Sequence, residues 1–150
     1  AALHLQGIRK LIIVNGHGGN SFKNMIRDLS VDFPDFLIAI TNWYGIVPQE
    51  GYFENKDDHA GEMETSVMMY YHPELVNLEE AGEGTSKPFA LSSLNAQIAW
   101  LPRYWSKVSA DTGIGDPHKS TPEKGERYAK AVIEKLALLF TEIGSKEVYL

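Results

Sequence analysis

Leu11-Ile12-Ile13-Val14 is a short, unbroken run of branched apolar residues, and it leads straight into Asn15-Gly16-His17-Gly18-Gly19-Asn20, three glycines in six residues. A run of that kind is typical of a strand buried on both faces of a parallel sheet. Asn20 or Ser21 is placed to cap the amphipathic stretch that follows, with Phe22, Met25, Ile26, Leu29 and Phe33 at helical spacing before Pro34 ends it. Phe36 to Thr41 is a second apolar strand run. Strand, glycine turn, helix and strand make a βαβ unit, parallel and right-handed in nearly all proteins. The expected class is therefore α/β with a mostly parallel sheet. Residues that follow the first strand lie at the edge where open α/β sheets bind ligands.

The rest of the chain is less regular. Ala1 to Gln6, stopped by Gly7, reads as the end of a helix. Residues 43–58 read as an irregular loop containing Trp43. From about Gly61 a helical stripe of Met63, Val67, Met68 and Tyr71 runs to Pro73. Residues 77–103 receive no firm assignment, and Trp100, Tyr104 and Trp105 are expected in a strand or along a cleft. A second glycine-bearing loop occupies 111–120, and Thr121-Pro122 opens a long helix that closes near Gly144. Glu147 to Leu150 is expected as a last short strand.

Composition narrows the chemistry. The chain has no cysteine, which removes disulfide scaffolds, thiol nucleophiles, iron–sulfur clusters and Cys-ligated zinc. Any metal must be held by His, Asp, Glu or Asn. A formal charge of −6 argues against a nucleic-acid partner. The apolar runs fall far short of the roughly 20 residues of a membrane span, and no signal peptide opens the chain. The expectation is a soluble, cytoplasmic protein.

Two constellations stand out. His17 sits inside the glycine turn, where flanking glycines free the backbone to present its side chain. The absence of Gly-Lys-Ser/Thr and of Gly-x-Gly-x-x-Gly spacing speaks against a nucleotide loop. The second is Asp57-Asp58-His59-Ala60-Gly61-Glu62-Met63-Glu64-Thr65-Ser66, at a helix start. As a capping run, Asp58 caps the helix and Glu62 meets its dipole, which leaves Glu64 unexplained. Were both helical, His59 and Glu64 would stand about 140° apart. They converge only if His59 precedes the helix, in which case Glu64 can bind a metal while His59 handles protons. His4 and His72 read as surface residues, and His118 as a loop residue.

With Gly113-Ile114-Gly115-Asp116-Pro117 and Thr121-Pro122-Glu123-Lys124-Gly125, these blocks resemble the creatininase, or creatinine amidohydrolase, family, in that family's order. The resemblance implies a three-layer α/β/α fold and hydrolysis of a cyclic or linear amide by a metal-activated water. It implies two divalent ions per complete site, zinc or manganese and in some members iron. His17 matches a metal-binding histidine, Glu64 a metal-binding glutamate and His59 the histidine that donates a proton to the leaving nitrogen. Gly18, Asp57 and Trp43 are candidates for substrate contact. Creatinine-hydrolysing members carry a glutamate where this chain has Gly19, so the expected substrate is a small-molecule amide other than creatinine. The remaining ligands of the family come from a Glu-x-His-Gly segment and a following Asp, which these residues lack. Residues 1–150 are thus expected to be the C-terminal portion of a single creatininase-like domain, inactive alone, and the resemblance implies a homo-oligomer. The alternative is an α/β binding module that has lost its metal site.

Overall fold

The computed structural model describes residues 1–55 and 58–149 of the chain. They divide into two compact units, Ala1–Pro48 with Ala131–Leu150, and Gln49–Lys130.

In the first unit, helix α1 (Ala2–Leu5) precedes β1 (Lys10–Asn15), α2 (Lys23–Asp32) and β2 (Leu37–Asn42), followed by a 3-10 turn at Trp43–Gly45. The strands pair in parallel with Lys10 opposite Leu37 and Asn15 opposite Asn42, so the βαβ unit forms with both asparagines at the same sheet edge. Leu11, Ile12 and Ile13 are half-buried and Val14 is 44% exposed, short of the double-sided burial their apolar run predicts. Among the described residues the sheet has only these two strands. Helix α2 starts at Lys23 without a side-chain cap. The capping role expected of Asn20 or Ser21 is not met because Phe22, which has no side-chain acceptor, takes the N-cap position. His4 is also not a plain surface residue: its ring packs 5.1 Å from Phe33 and bonds Asp35 at 2.8 Å.

In the second unit, α3 (Glu62–Tyr71) is followed by 3-10 turns at Pro73–Leu75 and Leu78–Glu80, and by short helices α4 (Ser92–Asn95) and α5 (Trp105–Val108). Its core gathers Met63, Tyr128 and Ala129, with Tyr52 and Phe53 edge-on to the Tyr128 ring at 5.4 and 5.1 Å. Trp105 opens α5 rather than a strand, while Trp100 and Tyr104 are 85% and 67% exposed and line no core.

The long helix α6 (Pro122–Ser145) begins where Thr121-Pro122 predicts: the Thr121 hydroxyl accepts the Lys124 N–H at 3.2 Å, and Pro122 holds the first position. In the first unit its far end is met by Lys10, whose ammonium donates to the carbonyls of Ile143 and Lys146 at 2.7 and 3.2 Å, groups the helix leaves unbonded. Residues 147–149 form no strand, contrary to expectation, and Leu150 lies outside the described residues. Among the described residues no helix is long and apolar enough to cross a membrane.

Candidate active site

In the first unit the glycine turn is built around Asn15, buried at the end of β1. Its amide donates to the His17 carbonyl at 2.9 Å and to Asn42 Oδ1 at 2.8 Å. Its Oδ1 accepts the His17 N–H at 3.2 Å and the Asn20 amide at 2.9 Å. Two donors and two lone pairs are all that an asparagine side chain has, and all are used. The His17 ring is turned back on its own loop, where Nδ1 accepts the Gly19 N–H at 2.9 Å. The neutral ring in this arrangement carries its proton on Nε2. A Cβ at position 19 would stand 2.9 Å from His17 Cε1, so the ring's place depends on glycine there. Trp43 closes the turn from the next loop, its indole N–H 3.4 Å from the Gly16 carbonyl, and the Tyr44 hydroxyl lies 3.8 Å from where a Gly18 Cβ would stand.

In the second unit His59 lies just before α3, as convergence with Glu64 requires. It is pinned by an antiparallel bridge to Ile114, with N–H to carbonyl distances of 2.9 and 2.8 Å in the two directions. This is how the second glycine-bearing loop enters the site: it fixes the histidine's backbone. Ala60 then takes a left-handed φ of 53°, which reverses the chain and sends its N–H to Glu64 Oε2 at 2.6 Å. His59 Nδ1 stands 4.0 Å from the same oxygen, and the two side chains are 35% and 32% exposed, open enough to meet a small molecule. Trp105 packs on the His59 ring at 4.9 Å with a 50° tilt. Asp58 does not cap α3, whose N-cap is Gly61. Its carboxylate is drawn away by the Arg103 guanidinium in a two-pronged bond of 2.7 and 2.5 Å, and that bond holds Arg103 even more firmly protonated than usual.

The platform under this segment is a buried charge pair. Glu62 is wholly buried, accepting the N–H groups of Glu54 and Asn55 at 2.9 and 2.7 Å and the Lys124 ammonium at 2.5 Å. Glu62 is thus more than the dipole partner its first-turn position predicts. The hydrogen bond to Glu62 raises the Lys124 pKa, and Lys119 followed by Lys124 pulls the Glu54 carboxylate below its usual range. Helices α3 and α6 meet backbone to backbone, since a Cβ on Gly125 would fall 1.9 Å from the Ser66 carbonyl oxygen. Ser66 in turn accepts the Thr121 N–H at 3.2 Å, and Ser120 donates to the Glu62 carbonyl at 3.1 Å. The Glu123-Lys124-Gly125 block therefore serves the fold of the site rather than its chemistry.

Residues 1–140 match the family described as creatinine amidohydrolase. This chain belongs to the creatininase family. Its α/β fold is the creatininase fold: a crystal structure from Bacteroides fragilis NCTC 9343 that carries the creatinine amidohydrolase name superposes with a TM-score of 0.95 at 61% identity, over 99% of this chain and 59% of that one. A solved creatininase at 22% identity shares the fold with a TM-score of 0.71 over 93% of this chain and 57% of its own. A Mycobacterium ulcerans (strain Agy99) protein named mycofactocin precursor peptide peptidase is 30% identical over 129 residues, 83% of this chain. The chain spans about half the length of the curated relatives it matches, 45% in that case.

Within this family member the structure brings His59 and Glu64 together in one unit, and His17, Gly18 and Trp43 together in the other. Asp57 lies outside the described residues. As metal donors, His17 and Glu64 fit in kind, one imidazole and one carboxylate. They do not fit in number: among the described residues no three His, Asp or Glu are grouped to hold an ion, and a catalytic zinc takes three protein ligands. Engaging either His17 nitrogen would also cost the ring its bond from Gly19, since Nε2 can ligate only when the proton moves to Nδ1. Sequence reasoning missed Asn15, Asn42, Glu62 with Lys124, and Arg103. Only the asparagines had a readable signal, one ending each strand of the βαβ unit.

Proposed function

We propose that this creatininase-family chain carries part of the active site of a metal-dependent amidohydrolase that breaks an amide C–N bond in a substrate other than creatinine. His59 is the proton donor to the leaving nitrogen, and Glu64 and His17 are metal ligands completed by residues outside these 150. The observation that carries the reading is the placement of His59 before α3, backbone-pinned to Ile114, with Nδ1 4.0 Å from the Glu64 carboxylate. Divalent ions supply Lewis-acid chemistry, acidifying water and polarising a carbonyl; solved creatininases are described as Zn–Zn and Mn forms. Gly19 supports a substrate other than creatinine, because the resemblance places a glutamate at this position in creatinine-hydrolysing members. The peptidase name of the mycobacterial relatives makes a linear peptide amide the first substrate to try. Gly18 and Trp43 are proposed to border the substrate, and the protein is proposed to be a cytoplasmic homo-oligomer.

Metal analysis of the full-length protein tests the ligands. Stoichiometric zinc or manganese is expected, lost on His17→Ala or Glu64→Gln. His59→Ala should keep the metal and lose roughly 10²–10⁴ in turnover of a short linear peptide, as expected of a missing general acid. A full-length protein that is metal-free and inert would overturn the proposal. It would favour the second reading, a non-catalytic α/β binding module, which rests on the lack of a three-donor group among the described residues.

A further inference from the structure

Two contacts join the His59 segment to the approach of α5. The Arg103 guanidinium grips Asp58, the residue before His59, and lies 5.5 Å above the Trp105 ring. The Trp105 ring in turn rests on the His59 imidazole. Asp58, Arg103, Trp105 and His59 therefore close a ring in which two adjacent residues of one segment are clipped to two residues of another. Exposed ion pairs of this type add little to stability, so the clip matters for orientation. The bridge to Ile114 fixes the His59 backbone and leaves χ1 and χ2 to be set by side-chain neighbours. The Glu64 oxygen stands 4.0 Å from Nδ1, beyond ordinary hydrogen-bond length. The indole of Trp105 lies against the imidazole at 4.9 Å with a 50° tilt, within the range where aromatic rings attract, and its bulk restricts how the smaller ring can turn. The guanidinium over the other ring completes a cation–π contact that keeps the indole from swinging away.

We propose that Trp105 is a positioning residue for His59, and that Arg103, braced by Asp58, holds the indole in place. Its catalytic meaning rests on His59 being the proton donor. The geometry is tested separately from that role, by NMR of the full-length protein at one fixed pH, with the His59 Cε1–H signal assigned by its loss in His59→Ala. The signal should be displaced by the indole ring current. Trp105→Ala should abolish the displacement and raise the imidazole's mobility in carbon relaxation. Trp105→Phe should restore order, and Arg103→Gln should loosen the ring with the fold intact. Signals of Met63 and Tyr128 report folding in each variant. A His59 ring in Trp105→Ala or Arg103→Gln that stays as displaced and as ordered as in the unaltered protein overturns the proposal. Full turnover in His59→Ala would instead overturn the proton-donor reading and leave the positioning contact standing.

Discussion

The glycine turn after β1 and the His59–Glu64 segment at the start of α3 each present a candidate site histidine, and each is held by a different kind of force. Around His17 the bonds are neutral: one buried asparagine satisfies the loop, a second asparagine and the opposite strand. Around His59 the bonds are charged: Glu62 with Lys124 below and Asp58 with Arg103 beside. The asparagine hub carries no ionisable group, and of the turn's bonds only the one from the Gly19 N–H to His17 Nδ1 needs a neutral ring. The charged brace ties the position of its histidine to the ionisation of residues that never touch it.

The largest expected effect breaks the charged side. Glu62→Ala leaves a lysine and two backbone N–H groups without their acceptor, and should cost about 3–5 kcal/mol, the range for breaking a buried pair; a urea unfolding midpoint measures it. Asn15→Ala attacks the neutral side and should cost about 2–3 kcal/mol, since buried donors and acceptors lose their partners. If the contrast holds, that loss is the same at pH 5 and pH 9. A third measurement sharpens the comparison through pH. Lys124 titrates above the ordinary lysine value of 10.5, so the pair's contribution is complete below that pH and is lost as pH climbs through the raised value. Glu54 titrates below its ordinary 4.5, so its contribution is complete above that pH and is lost as pH falls through the lowered value. Hydrogen-exchange protection of the Glu54 and Asn55 amides should therefore fall at both extremes while that of the His17 amide, held by Asn15, changes little. Gly19→Ala should displace the His17 ring, since a Cβ there meets Cε1 at 2.9 Å, and the shift of the His17 Cε1–H signal measures it. The smallest effect is Arg103→Gln, expected to cost under about 1 kcal/mol because the pair is exposed.

The parts of this architecture readable in the sequence are those set by local patterns. The βαβ unit follows from two apolar runs around a glycine turn, and the start of α6 from Thr121-Pro122. Helical angles set only the condition that His59 must precede α3 to converge with Glu64, a condition the structure meets. What was not readable depends on partners far apart in the chain. Glu62 and Lys124 are 62 residues apart, and Asp58 and Arg103 are 45 apart. Each looks like an ordinary surface charge until the fold brings its partner in. The same holds for one misassigned cap: Asp58 has the right chemistry to cap a helix, yet its carboxylate is taken by Arg103. Burial of β1 was overestimated because the residue types show what a strand can bury against, not how many neighbours it has.

Ala60 carries a last consequence. Its left-handed turn delivers a backbone N–H to the Glu64 oxygen that also faces His59. Any cation or substrate that draws on this oxygen must share it with that amide, so the shift and exchange rate of the Ala60 N–H form a built-in gauge of demand on the carboxylate. Occupancy of the site can be followed from inside the loop, residue by residue, without a label and before any substrate is known.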